Sequence, residues 1–394
     1  MAPGRPQSLV SKAALSILFA GFLSTPFFLL REIFFPKGQQ PFDERRVPTY
    51  FPTAMHTNTT TLPFGPDAPW LAPLAGYSDL PFRTLCRQYG AACAVTEMVS
   101  VKGLVYGGFG TERLLLTAGP DTPLVVQLFG AEPEIYERAM PLLLERGFTH
   151  FDLNAGCSVR KVNKSGSGSA LMSRPALLLK IVETMVKAAG PGRVGVKMRL
   201  GFTPGEENFL DLGRALEDLG AGWLTLHPRT AKQLFGGQAR WEAIGELAQA
   251  VGVPVLASGD LFTAEDAARC LSVSGCAGVM FARGALTDPM IFQRLKDVLA
   301  GRESAPRTAE SLAEAALTHI RLCQELDPTP RAFRALRAFL PRYAKGFTGI
   351  RALRQALITC RNWDELTAMA AHIAHLAADA APIDHADMLQ DCGA

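Results

Sequence analysis

Short polar clusters interrupt an otherwise apolar chain. Gln127 closes the run Leu124-Val-Val-Gln127, and Asn154 stands three residues before Cys157 in Asn154-Ala-Gly-Cys157. Lys197 and Arg199 are two apart, as are His227 and Arg229. Ser258-Gly259-Asp260 and Ala282-Arg283-Gly284 set glycine beside polar or charged residues. Each type has a chemistry. A thiol has an ordinary pKa of about 8.5, so Cys157 carries a proton at neutral pH and can donate it without tuning. Turns with glycine offer backbone N–H groups to a phosphate. A lysine such as Lys197 stabilises negative charge on a bound ring. Structural readings compete: a buried cysteine is usually a small hydrophobe, Lys197 could pair with a buried acid, His227 could be a satisfied core histidine, and Asp260 could cap a helix. For Cys157 the setting favours chemistry, because it lies in a polar, glycine-bearing segment after Asn154.

These clusters need rigid supports. Apolar runs at 70–73, 94–97, 124–128, 151–154, 195–199, 223–227, 253–257 and 278–282 are flanked by Gly or Pro and alternate with amphipathic helical patterns. They read as apolar without alternation, the pattern of strands buried on both faces. Segment 133–146 opens with Pro133 and is followed by Gly147, which places Pro in a first helical turn and Gly past the end. Thr263 with Asp266 resembles a capping box. Strand and helix alternating eight times predict an α/β fold, a (β/α)8 TIM barrel over 69–302. An open doubly wound sheet is the alternative, but a G-x-G-x-x-G turn after the first strand is missing. In the barrel every polar cluster falls at the C-terminal ends of strands, where such folds build active sites. The fourth connection, 155–172, exceeds the usual roughly 2–6 residues and carries Cys157, Arg160, Lys161, Lys164 and Ser165-Gly-Ser-Gly-Ser169. The clusters after strands seven and eight occupy a barrel's usual phosphate site. With Gln127 and Lys197 deeper in, they describe a site for FMN.

The chain has 394 residues, 48% of them hydrophobic, so a large core is available and wholesale disorder is excluded. A net charge of +3 does not by itself call for nucleic acid. Eight cysteines without a C-x-x-C pair argue against a zinc ribbon and read as reduced thiols of a cytoplasmic protein. Residues 303–378 show no strand pattern and are expected to form a C-terminal helical domain, with 379–394 a loose tail. Within it Arg331, Arg334, Arg337, Arg342, Lys345, Arg351, Arg354 and Arg361 follow one another without an acidic residue. Such a run is commonly a solvated helix face; its length without an acid favours RNA contact. Residues 1–68 form a leader or extension with an apolar stretch at 13–30. That stretch is either a membrane anchor or part of a mis-called start preceding Met55, and the second reading is the expectation.

Leu71-Ala-Pro-Leu-Ala-Gly-Tyr-Ser-Asp79 with Pro81-Phe-Arg83, Thr96-Glu-Met98, Val126-Gln-Leu-Phe-Gly130, Asp152-Leu-Asn-Ala-Gly-Cys157, Val196-Lys-Met-Arg-Leu-Gly201, Leu226-His-Pro-Arg-Thr230, Ser258-Gly-Asp260 and Ala282-Arg-Gly284 occur in this order. As an ordered set they resemble the tRNA-dihydrouridine synthase family, bacterial type. The tail resembles it more weakly, through Tyr343-Ala-Lys-Gly346 and Leu353-Arg354. The resemblance implies reduction of the C5=C6 bond of uridine in tRNA, with FMN reloaded by NADPH and with no stable protein partner. It implies Cys157 as the proton donor and flavin contacts at Pro73, Leu74, Ala75, Gln127, Lys197, His227, Ser258, Gly259, Asp260, Ala282, Arg283 and Gly284. Asn154 would orient the base, and Arg160, Lys161, Lys164, Arg331, Arg334 and Arg337 would hold the RNA. The sequence departs from the family's pattern at Ser158, where Pro is usual, at Ser258 for Asn, at Ala282 for Gly and at Leu74 for Met. None of these removes an acid–base group. Rival functions are a flavin barrel acting on a free pyrimidine, like a dihydroorotate dehydrogenase, a non-redox phosphate-binding barrel, and a membrane-tethered RNA-binding protein without activity. The basic tail argues against the first, a flavin spectrum of the purified protein would separate the second, and the intact set Asn154, Cys157, Lys197 and His227 argues against the third. A chain begun at Met55 is expected to be soluble, folded and fully active. Loss of activity in that truncation, or native protein that fractionates with membranes, would show that the leader is needed.

Overall fold

The computed structural model describes residues 61–377. The expectations for 13–30, Met55 and 379–394 lie outside the described residues. Nine strand segments pair in parallel: β1 (Trp70–Leu71), β2 (Cys93–Val95), β3 (Val99–Ser100), β4 (Leu124–Phe129), β5 (His150–Ala155), β6 (Val194–Arg199), β7 (Trp223–His227), β8 (Val255–Ala257) and β9 (Gly278–Phe281). Trp70 of β1 pairs with both Cys93 of β2 and Met280 of β9, which closes the sheet. β2 and β3 both pair with β4, so they are two halves of one stave broken at 96–98. The result is the expected eight-stave (β/α)8 barrel.

The strands were expected to lack alternation, with polar groups only at their ends, and here the structure corrects the reading. Alternate residues of a barrel strand face inward and outward. Val126, Leu128, Phe151, Leu153, Val196, Met198, Leu224 and Leu226 join the apolar core with the surrounding helices. The residues between them, Gln127, Asp152, Asn154, Lys197 and Thr225, belong to the opposite parity. Deeper in the barrel that parity is apolar, with Trp70, Val95, Val125, Trp223, Leu256 and Met280 in a separate cluster. Phe64 stacks on Trp70 with centroids 5.3 Å apart, and the Trp70 indole N–H donates to the Pro63 carbonyl at 2.8 Å. Residues 62–68, read as leader, are therefore part of the barrel and cover one end of it. Only glycine fits at position 195, since a Cβ there would lie 2.0 Å from the Trp223 ring.

Helix Pro133–Glu145 forms where Pro133 and Gly147 place it. Helix Ala264–Ser274 has the expected capping box: Thr263 Oγ1 accepts from the Asp266 amide at 3.1 Å, and Asp266 Oδ2 accepts from the Thr263 amide at 3.0 Å. The segment read as one long loop after β5 contains a short helix, Arg160–Lys164, and a 3-10 turn, Gly168–Ser173. Beyond the barrel lie helices Ala309–Leu326, Pro330–Phe339, Ile350–Thr359 and Trp363–Ala371. They do not build a core of their own. Phe339 and His319 approach Phe82 of the first barrel helix, Leu80–Gln88, at 5.1 and 5.6 Å, and one apolar cluster runs through both parts. No helix among the described residues is long and apolar enough to cross a membrane.

The connection after β1 is held by a buried ion pair. Arg83 donates to Asp121 Oδ2 from Nε at 2.9 Å and from Nη2 at 2.7 Å, and to the carbonyls of Ser78 and Leu116 at 2.9 and 2.7 Å. Asp121→Ala would leave that guanidinium buried without its anion. The expected cost is about 3–5 kcal/mol, read as a lower urea midpoint at unchanged denaturant slope.

Candidate active site

At the C-terminal end of β4 and β5 the inward residues form one hydrogen-bonded chain. Gln127 Nε2 donates to Asp152 Oδ2 at 2.7 Å, and Asn154 Nδ2 donates to Gln127 Oε1 at 2.8 Å. Asn154 Oδ1 accepts from the amides of Gly156 and Cys157 at 3.2 and 2.9 Å. These last bonds turn the chain sharply after β5 and set Cys157 at the mouth. The Ser/Gly segment folds back against it: the Ser169 amide donates to the Cys157 carbonyl at 2.9 Å, and Ser158 Oγ meets Ser169 Oγ at 3.3 Å. Ser158 is thus accommodated by a serine pair. Among the described cysteines Cys157 alone is not buried. Burial raises its pKa, partly offset by the Val159 amide, Arg199 and Lys197, so the thiol keeps its proton at neutral pH.

The rest of the mouth is crowded with positive charge. Lys197 is half-buried, and burial first, then Arg199, lowers its pKa to about 8. Its ammonium has no hydrogen bond or ion pair among the described residues. His227 is pushed well below the ordinary imidazole range by burial and by Arg199, Lys197, Arg229 and Arg283, which keeps the ring neutral. Arg199 ties the loops together, donating to the carbonyls of Gly156, Thr230 and Leu234 at 2.8, 2.9 and 2.8 Å. Asp260 answers the charge after β8. Its carboxylate accepts from Arg229 at 2.9 and 2.6 Å, from the Ala239 amide at 2.9 Å and from Arg283 at 3.4 Å. The side chain expected to touch cofactor is therefore committed to protein donors. Gly259 has φ +103°, and a Cβ there would come within 2.7 Å of His227 Cδ2, so the backbone lies directly against the imidazole. Ser258 is buried, and Ala282 and Arg283 lead into the short helix Arg283–Thr287 beside it. Pro73 and Leu74 are half-buried and Ala75 is exposed in the turn after β1, where Ser78 Oγ accepts from the Leu74 amide at 2.9 Å.

This arrangement suits a ligand with a phosphate and a ring that carries negative charge, and the donor set therefore fits FMN. Lys197 brings an unpaired ammonium, Gln127 keeps one amide proton and one lone pair unused, and the Gly259 turn exposes backbone. Residues 70–378 match the family described as "Dihydrouridine synthase (Dus)". The chain belongs to the dihydrouridine synthase family. The match starts at β1 and takes in the helical tail as well as the barrel. A "Probable tRNA-dihydrouridine synthase" of Treponema pallidum is 36% identical over 289 residues, covering 71% of this chain and 85% of that protein. "Probable tRNA-dihydrouridine synthase 1" of Synechocystis is 37% identical over 298 residues, covering 75% and 82%. "tRNA-dihydrouridine synthase B" of Shewanella oneidensis is 35% identical over 257 residues, covering 65% and 80%.

Within this family member the basic residues divide. Arg160, Lys161, Lys164, Arg331 and Arg334 are exposed. Arg337 is half-buried and donates to the Cys360 carbonyl at 2.6 Å, closing the end of helix Ile350–Thr359. One of its nitrogens is thus engaged in a structural bond. Arg342 leans over Tyr77 of the β1 turn, 4.6 Å from the ring centroid, and bonds its hydroxyl at 2.6 Å, which brings the tail to the mouth. Sequence reasoning passed over Asp152, and it noted Arg199 and Arg229 without the backbone carbonyls that they clamp. The parity signal was present for Asp152, which lies two residues before Asn154. Alkylation should test the thiol: among residues 61–377, iodoacetamide is expected to modify Cys157 alone in the native protein. The rate should rise only through a pKa above the ordinary thiol range. Peptide mapping that finds Cys157 unmodified, or fully reactive at pH 7, contradicts this site.

Proposed function

We propose that the protein reduces the C5=C6 bond of a uridine in tRNA, in the cytoplasm, with FMN as cofactor and NADPH as its reductant. The observation that carries the reading is a protonated, accessible thiol at the end of the Gln127–Asn154 chain, facing a mouth with an unpaired ammonium at Lys197. Reduced FMN, when bound, supplies a hydride. Gln127 and Lys197 would hold the ring, with Lys197 stabilising negative charge on it, and the Gly259 and Arg283 turns would take the phosphate. Conjugation with the C4 carbonyl makes C6 of uracil electrophilic, and hydride there leaves C5 in need of a proton. Cys157 Sγ gives up that proton, and solvent reprotonates it through the mouth. Asn154 spends three of its four hydrogen-bonding sites on Gln127, Gly156 and Cys157. Its remaining amide proton meets only Met98 Sδ, a weak acceptor that a uracil carbonyl can displace. The neutral His227 lines the same wall without adding charge.

Cofactor released by heat from purified protein should run as FMN; FAD, or no flavin after reconstitution, sinks the reading. Cys157→Ala should bind FMN and accept electrons from NADPH, yet form dihydrouridine ~10²–10⁴ times more slowly. Near-normal turnover would point to another donor. Charge reversal at Arg331 and Arg334 should weaken tRNA binding and flatten its dependence on salt by a log–log slope of roughly 0.7–0.9 per lost phosphate contact. Flavin reduction should be untouched. Parallel slopes at unchanged affinity would make these arginines a solvated helix face.

A further inference from the structure

Asp152 is a costly residue to keep where it stands. It is 2% exposed inside the barrel, its Oδ1 is buried without a hydrogen-bond partner, and burial raises its pKa to about 7. Among the described residues no ion pair joins it to Lys197. Its one direct bond is the 2.7 Å contact that accepts a proton of Gln127 Nε2.

The direction of the whole chain follows from its two ends. Amide oxygen and nitrogen are easily confused, but the N–H groups of Gly156 and Cys157 can only donate. Asn154 must therefore turn Oδ1 towards them and Nδ2 towards Gln127. Gln127 must then present Oε1 to Asn154 and Nε2 to Asp152, and a carboxylate oxygen is the acceptor that this order requires. Both ends agree, so neither amide has a competing rotamer. What remains on Gln127 is one amide proton and one lone pair.

We propose that Asp152 is a positioning residue whose accepting oxygen fixes, through Gln127 and Asn154, both the amide edge offered to the flavin and the turn that carries Cys157. The inference rests on the function proposed above. It makes the cofactor and the acid parts of one rigid unit: what loosens Gln127 also loosens the Cys157 turn.

The test uses Asp152→Leu, which removes the acceptor, and Asp152→Asn, which keeps an accepting oxygen but no charge. Two readouts are taken: FMN affinity by fluorescence titration, and the alkylation rate of Cys157 in flavin-free protein. D152L should weaken FMN by about ten- to a hundredfold, the range for losing one buried hydrogen bond to a charged acceptor, and should change the alkylation rate. D152N should restore both. Wild-type behaviour of D152L overturns the proposal, and so does D152N behaving like D152L, which would make charge rather than acceptance the relevant property. If circular dichroism shows D152L unfolded, Gln127→Met breaks the same chain at its middle, and unchanged Cys157 alkylation there overturns the proposal equally. Wild-type protein that binds no FMN would instead defeat the proposed function.

Discussion

Repulsion among cations governs the mouth of this barrel. Lys197, Arg199, Arg229 and Arg283 all act on one imidazole, and their carrier strands cannot move apart because the sheet is closed. Like charges in a low-dielectric interior are costly. The protein offsets part of that cost with Asp260, part with backbone carbonyls that accept from Arg199 and Arg229, and leaves Lys197 without a direct partner, with only Asp152 and Cys157 acting on it from a distance. An anionic ligand completes the balance. The loops after β5, β7 and β8 are drawn together by the same bonds that neutralise the arginines, so loop geometry and charge are solved by one set of contacts.

How much of this could be read from the sequence depended on what kind of signal carried it. The barrel was legible because strand and helix alternate, and the helix starts at Pro133 and Thr263 because capping is local. Cys157, Lys197 and His227 were legible because polar residues in apolar runs stand out. Asp152 was missed although it lies in the same strand as Asn154, since its meaning comes from Gln127 on a neighbouring strand, 25 residues away. Asp260 and Arg337 were read as ligand contacts, yet each is occupied by partners that no local pattern reveals. Residues 62–68 looked like leader because a plug over a barrel end has no periodicity of its own.

The helical tail is a separate region in composition and not in packing. Phe339 and His319 pack with Phe82, Tyr343 packs with Phe339, and the His319 ring nitrogen meets the Tyr343 hydroxyl at 3.0 Å. Arg113 adds a polar tie, bonding Asp327 at 2.8 Å and reaching Asp79 at 3.6 Å. A tail fixed in this way holds its exposed arginines at a set distance from Cys157, which a hinged domain would not. If those arginines meet the RNA as proposed, a large polyanion would be positioned by the body of the enzyme and not by its pocket alone.

The aromatic floor makes the two ends of the barrel unlike. Phe64, Trp70 and Trp223 pack together at the end opposite Cys157, so among the described residues the polar way to Asp152 and Lys197 is the mouth where ligands enter. A bound molecule is then also a stopper. Once it is seated, proton exchange between the groups beneath it and bulk solvent must pass through or around it.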